Sequence, residues 1–286
     1  MVRYCIHLPQ IRHCSNRRLY VEWYLLLAFL ALGAVVGIAA GLLGIGGGAI
    51  MVPVLTSLFM VQGFAPEQVM HVALGTSMAA IVPTSFASMR AHHAKGAVYW
   101  SVVRNITPGI LLGTFSATFL ATYLPTVVLA VFFACFMAYV ALQMWLDIKP
   151  QAHREIPGMA GLSLTGLVIG SISALAAIGG GTLSVPFLMW CNVNIRQAIA
   201  TSAGIGFPIA LAGTLGYVFN GWGQAGLPEY TIGFVYWPAV LLIASASFFT
   251  TRIGAQLAYS LPVATLKKLF AVLVLLLSAK MLASLL

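Results

Sequence analysis

Apolar residues run along this chain in long unbroken stretches separated by short polar gaps. Eight stretches meet or approach the roughly 20 residues that a helix needs to cross a bilayer. They are 23–45, 69–89, 101–123, 126–146, 158–178, 197–219, 231–251 and 263–286. Continuous runs exclude a transmembrane β-barrel, whose strands alternate lipid-facing and lumen-facing side chains. The expected fold is an all-α membrane protein of about eight transmembrane helices. The longest polar break falls at mid-chain. It predicts a basic N-terminal tail (1–22), a first membrane unit (23–146), a linker (147–157) and a second membrane unit (158–286).

The two membrane units read as copies. An offset of 133 carries Gly33 to Gly166, Gly37 to Gly170, Gly46-Gly47-Gly48 to Gly179-Gly180-Gly181, and Pro53 to Pro186. At 125, Thr76-Ser77 falls on Thr201-Ser202 and Pro83 on Pro208; at 137, Leu124-Pro125 meets Leu261-Pro262. The offset changes in loops and helix ends, where insertions are tolerated. Internal repeats of this kind are typical of secondary transporters, whose substrate site lies where the repeats meet.

Within each copy the first run carries small residues four apart: Gly33, Gly37 and Gly41, then Gly166, Gly170 and Ala174. That spacing puts them on one face and lets another backbone approach closely, as static packing or as a moving interface. Three successive glycines follow, each costing a helix about 1 kcal/mol relative to alanine. Then comes a proline (Pro53, Pro186), a residue favoured in the first turn of a helix. The expected geometry is a helix that stops, an open glycine turn, then a half-helix or re-entrant segment.

Broken backbone at membrane depth must line a cavity or be buried in protein. Its bare amides, at the positive end of a half-helix, suit an anion. Gly46, Gly47, Gly48, Gly179, Gly180 and Gly181 are therefore the candidate substrate-binding residues, with Thr182, Ser184, Thr76, Ser77, Thr201 and Ser202 as hydroxyl donors. Pro53 and Pro186 are structural. The competing reading is that these hydroxyls bond back to their own helix carbonyls.

Composition agrees with a bilayer. Of 286 residues, 61% are hydrophobic and 7% charged, against about a quarter charged in soluble domains. The net charge of +9 does not come from one dense stripe with interleaved aromatics, so nucleic acid is not an expected partner. No acidic residue lies at the centre of a run, which removes the usual carboxylate proton relay. The histidines sit at run ends or in loops, leaving a serine such as Ser77 without a base, and no catalytic residue is expected. Cys5, His7, His13 and Cys14 fit no standard ligand spacing; no metal site or cofactor is expected.

Eight alternating crossings with the N-terminus inside place Arg90, Lys95, Arg104 and Lys280 on the cytoplasmic side, and Arg196, Arg252, Lys267 and Lys268 opposite. The reversal of charge bias in the second half suggests inverted copies. Inversion requires an odd number of crossings per copy, with the half-helix counted as one.

The duplicated Gly-Gly-Gly followed by Pro (46–53, 179–186), the segments 73–77 (Ala-Leu-Gly-Thr-Ser) and 198–202 (Ala-Ile-Ala-Thr-Ser), and the two Leu-Pro turns resemble the sulfite exporter TauE/SafE family over roughly residues 25–285. That resemblance implies a secondary transporter, an exporter of a small sulfur-containing oxyanion such as sulfite or an organosulfonate, in the bacterial inner membrane. The partners are then the anion and the lipid bilayer, with a coupling proton or ion, or the membrane potential, as driving force. The alternatives are a carrier for another small anion, or a membrane-embedded enzyme or scaffold subunit.

Overall fold

The computed structural model describes residues 11–43, 47–146, 155–260 and 263–285. Over these residues the chain forms ten α-helices and one two-stranded hairpin. The first five helices are α1 (Ile11–Leu43), α2 (Gly48–Val61), α3 (Val69–His93), α4 (Trp100–Tyr123) and α5 (Thr126–Trp145). After the mid-chain break come α6 (Met159–Leu175), α7 (Gly181–Trp190), α8 (Ile195–Gly221), β1 (Thr231–Ile232), β2 (Val235–Tyr236), α9 (Trp237–Ser260) and α10 (Val263–Leu285). Gly46, Cys5, His7 and most of the linker lie outside the described residues.

Among the described residues, seven helices are long and apolar enough to cross a membrane. The expected crossing over 158–178 is shorter, because α6 has 17 residues. Two further helices, α2 with 14 residues and α7 with 10, are about 21 Å and 15 Å long at 1.5 Å per residue. Neither spans the roughly 30 Å of hydrocarbon alone. They begin at the third glycine of each run rather than at the proline, so Pro53 and Pro186 stand in the second turn. This corrects the first-turn placement. Glycine costs a helix less than the lost turn of hydrogen bonds would.

Helix directions follow from which residues touch. Gly33, Gly37 and Gly41 of α1 meet the backbone at Ile243, Ser247 and Thr251 of α9 in rising order, so these helices run parallel. In the same way Gly109 and Gly113 of α4 meet Ser163 and Leu167 of α6. The small-residue faces are thus used for close packing, each between one half of the chain and the other. α3 and α8 are antiparallel at the centre, with Gly213 against Met78 and Gly75 against Tyr217. A Thr84–Ser247 hydroxyl contact of 2.7 Å aligns α3 with α9. Lys268 lies 5.9 Å above the Trp145 ring, so α10 starts where α5 ends.

These directions sort the loops into two ends. One end holds Arg90, Lys95, Arg104, Arg196, Arg252 and Lys268. The other, with the β-hairpin, holds Glu67, Glu229 and Lys280. The placing of Arg252 with Arg90 and Lys95 differs from the eight-crossing expectation. The reason is the glycine breaks, which add a separate reversal of direction in each half.

Candidate functional site

Each glycine run ends a long helix and starts a short one by the same backbone device. Gly47 and Gly180 adopt left-handed conformations, with φ of 80° and 77°, as the N-caps of α2 and α7. Only glycine enters that region without cost. Gly47 accepts from the amides of Ile50 and Met51, both at 3.1 Å; Gly180 accepts from Leu183 at 3.1 Å and Ser184 at 2.8 Å. The amides of Gly48 and Ala49, and of Gly181 and Thr182, have no acceptor inside their own helices. No side chain caps either start. The prolines add a second vacancy, since Pro53 and Pro186 cannot donate to the carbonyls of Ala49 and Thr182.

The two breaks meet at the middle of the bundle. A β-carbon on Gly48 would run into the Ala177 carbonyl oxygen, with Ile81 Cδ1 at 3.2 Å. One on Gly206 would lie 2.6 Å from the Gly179 oxygen, and one on Gly180 beside Ile209. Ile81 and Pro208 are the central residues of the two most enclosed helices, α3 and α8. The N-terminus of α2 therefore touches the segment that leads into α7, level with the centre of α3. Ala177 itself sits at φ 46°, a strained value for a residue with a β-carbon. The offset of 133 pairs it with Gly44.

The hydroxyl candidates divide into three groups. Ser184 donates to the Gly180 carbonyl at 2.9 Å and Ser202 to the Ile199 carbonyl at 2.7 Å; for these two the back-bonding reading is the observed one. Thr76 Oγ1 accepts from the Tyr236 amide at 3.0 Å, and Thr201 Oγ1 accepts from the Tyr99 amide at 3.0 Å. Each threonine thus holds the entry of a helix from the opposite half, α9 or α4. The sequence pattern paired the threonines but not Tyr99-Trp100 with Tyr236-Trp237, which match at the 137 offset. Ser77 and Thr182 form the third group: their hydroxyls are buried and have no hydrogen-bond partner. An unmet hydroxyl away from water costs about 1–3 kcal/mol.

Among the described residues no cluster of His, Cys, Asp and Glu could hold a metal ion. The candidate residues supply main-chain groups, hydroxyls and aliphatic walls.

The family model for the sulfite exporter TauE/SafE matches residues 29–281. A protein of Haemophilus influenzae named "Probable membrane transporter protein" is 39% identical over 248 residues, covering 86% of this chain and 94% of its own. A protein of the same description from Methanocaldococcus jannaschii is 28% identical, covering 84% and 89%. One from Bacillus subtilis is 23% identical, covering 80% and 86%. No solved structure matches. The family and the relatives' names point to a membrane transporter rather than an enzyme, so the membrane-enzyme alternative falls. The broken helices, the seven candidate spans and the match over nearly the whole chain make this a multi-pass membrane transporter, and the chain belongs to the sulfite exporter TauE/SafE family.

Proposed function

We propose that the protein is a secondary transporter of a small sulfur-containing oxyanion, sulfite or an organosulfonate, bound between the N-termini of α2 and α7. The observation that carries this reading is the contact of Gly48 with Ala177. It brings two uncapped helix starts together at mid-depth, where their partial positive charges add. The amides of Gly48, Ala49, Gly181 and Thr182, which find no acceptor inside their own helices, with the unpaired hydroxyls of Ser77 and Thr182, replace the hydration shell of the ion. A sulfur oxyanion presents several acceptor oxygens and no donor when ionised, which complements this all-donor set.

The halves 23–146 and 158–286 are inverted repeats in this reading. Support comes from five helices on each side of the break, in the same order, with α1 on α9 mirrored by α6 on α4. Alternating access follows from rocking one repeat-derived bundle against the other. The end rich in Lys and Arg is the cytoplasmic one under the positive-inside rule, in the inner membrane. That assignment puts the N-terminus on the far side, although Arg12, Arg17 and Arg18 precede the first span. The membrane potential then favours export of the anion from the basic end, with a coupled proton as the second source of drive.

The test is flux of labelled sulfite in proteoliposomes. Wild-type flux should saturate, and Gly180→Leu, which forces a side chain into a left-handed position beside Ile209, should abolish it. Thr182→Val, which keeps the fold, should raise the half-saturating concentration. Undiminished flux in both variants overturns the reading.

A further inference from the structure

A second polar feature lies outside the midplane site, where the C-terminal parts of α3 and α9 diverge. A cavity of about 360 Å³ opens there, lined by Phe86, Arg90 and Lys95 from the α3 side and by Phe248, Arg252 and Gln256 of α9. We propose that this cavity binds an oxyanion group, and that the phosphate of an acidic phospholipid is the source it fits.

Three observations carry the proposal. Arg90 and Arg252 lie in the C-terminal parts of two apolar helices, Val69–His93 and Trp237–Leu257, and both are exposed at the basic end of the bundle, where a cation attracts an acidic headgroup. Among the described residues neither guanidinium has an ion-pair partner: Glu67 and Glu229 sit at the opposite end of the bundle, and Glu155, at the same end, precedes α6, which packs on α4. The cavity thus carries two guanidinium charges that no carboxylate among the described residues neutralises. The wall facing outward is apolar, with Phe86 at 41% and Phe248 at 37% exposure. An amphiphile satisfies both surfaces at once, its phosphate between the guanidiniums and its chains against the rings. A free hydrated oxyanion offers the same charge but leaves the rings unused.

The other half of the molecule provides the contrast. The offsets of 125 and 137 carry Arg90 and Arg252 to Leu215 and Phe115. There the neighbours are aromatic, with the Phe219 ring centroid 6.4 Å from that of Phe115 and 6.0 Å from that of Phe119. Packing at this junction is therefore met by apolar side chains. The arginines are an addition confined to one end.

The experiment uses the full-length protein in neutral detergent and native mass spectrometry. Phosphatidylglycerol is titrated against phosphatidylcholine, and sulfate is added in a separate arm without acidic lipid. Retention of one phosphatidylglycerol in preference to phosphatidylcholine is the expected result. The double variant Arg90→Gln, Arg252→Gln should weaken it about fivefold per charge removed. Lys280→Gln, an exposed cation at the other end, should leave it unchanged. Thermal melting of each variant checks that the fold is intact. If sulfate binds in this charge-dependent way and the lipid does not, the oxyanion site stands with the free solute as its source. Equal retention of both lipids with no sulfate binding, or full retention by the double variant, overturns the proposal.

Discussion

Gly48 lies against the carbonyl of Ala177, so closely that no β-carbon fits at position 48. One residue belongs to the first turn of α2 and the other to the approach to α7, and they are 129 positions apart in the chain. The contact joins the two breaks into one centre. The neighbour is backbone and has no flexible end to move aside. Gly48→Ala should therefore lower stability by the roughly 1–3 kcal/mol typical of overpacking, or abolish folded protein. Thermal unfolding and size-exclusion profiles in detergent measure this, and an unchanged melting temperature would contradict the packing.

Ala177 should respond in the opposite sense. Its φ of 46° is one that glycine reaches freely, and left-handed backbone costs other residues about 1–2 kcal/mol. Ala177→Gly removes that strain while giving some back in chain entropy. The expected outcome is a melting temperature equal to or above wild type, whereas Ala177→Val should unfold earlier.

Thr76 and Thr201 form a reciprocal pair of clasps. Thr76→Val leaves the Tyr236 amide without its acceptor, and Thr201→Val does the same to Tyr99. Each should cost about 1–3 kcal/mol, with serine at either position restoring most of it. The two sites are far apart and share no partner, so the double variant should show the sum. Chemical denaturation curves of the four proteins test that additivity.

The hydroxyls of the site should separate by partner. Ser184→Ala and Ser202→Ala remove groups already bonded to helix carbonyls, so the half-saturating anion concentration should stay within about twofold of wild type, a change of about 0.4 kcal/mol. Ser77→Ala and Thr182→Val remove unpaired hydroxyls and should raise it about tenfold, the scale of a charge-assisted hydrogen bond. A flux series in proteoliposomes in which all four variants coincide would remove the hydroxyls from the binding set.

Topology offers a direct check on the helix directions. Cysteine at position 95 and at position 252 should react with an impermeant maleimide from the same side of the membrane, and cysteine at 229 from the other. A background lacking all four native cysteines, Cys5, Cys14, Cys135 and Cys191, makes the labelling readable. Labelling of 95 and 252 from opposite sides would restore the eight-crossing arrangement.

Much of this was legible in the residues. Long apolar runs such as 126–146 become helices because backbone polar groups in lipid must be satisfied within the segment. The triple glycines mark helix ends because a left-handed residue is needed to turn there, and Gly47 and Gly180 take that role. What the pattern misread was arithmetic of direction. The half-helices are too short to register as spans, yet each reverses the chain, and that moves Arg196, Arg252 and Lys268 to the end that holds Arg90.

The hydroxyls mark the other boundary. Thr76 and Ser77 are neighbours in sequence and both buried, but a helix turns about 100° per residue, so one clasps Tyr236 and the other faces no partner. Periodicity cannot distinguish them, because their surroundings come from the opposite half of the chain. By itself the order of residues determined the membrane class, the helical build and the two break points, all of which depend on local hydrogen bonding and transfer from water. Only the tertiary structure decided that the breaks touch, which hydroxyls stay unpaired and where the arginines gather. Those depend on contacts between residues more than a hundred positions apart, made by packing bare glycine faces from one half onto the other.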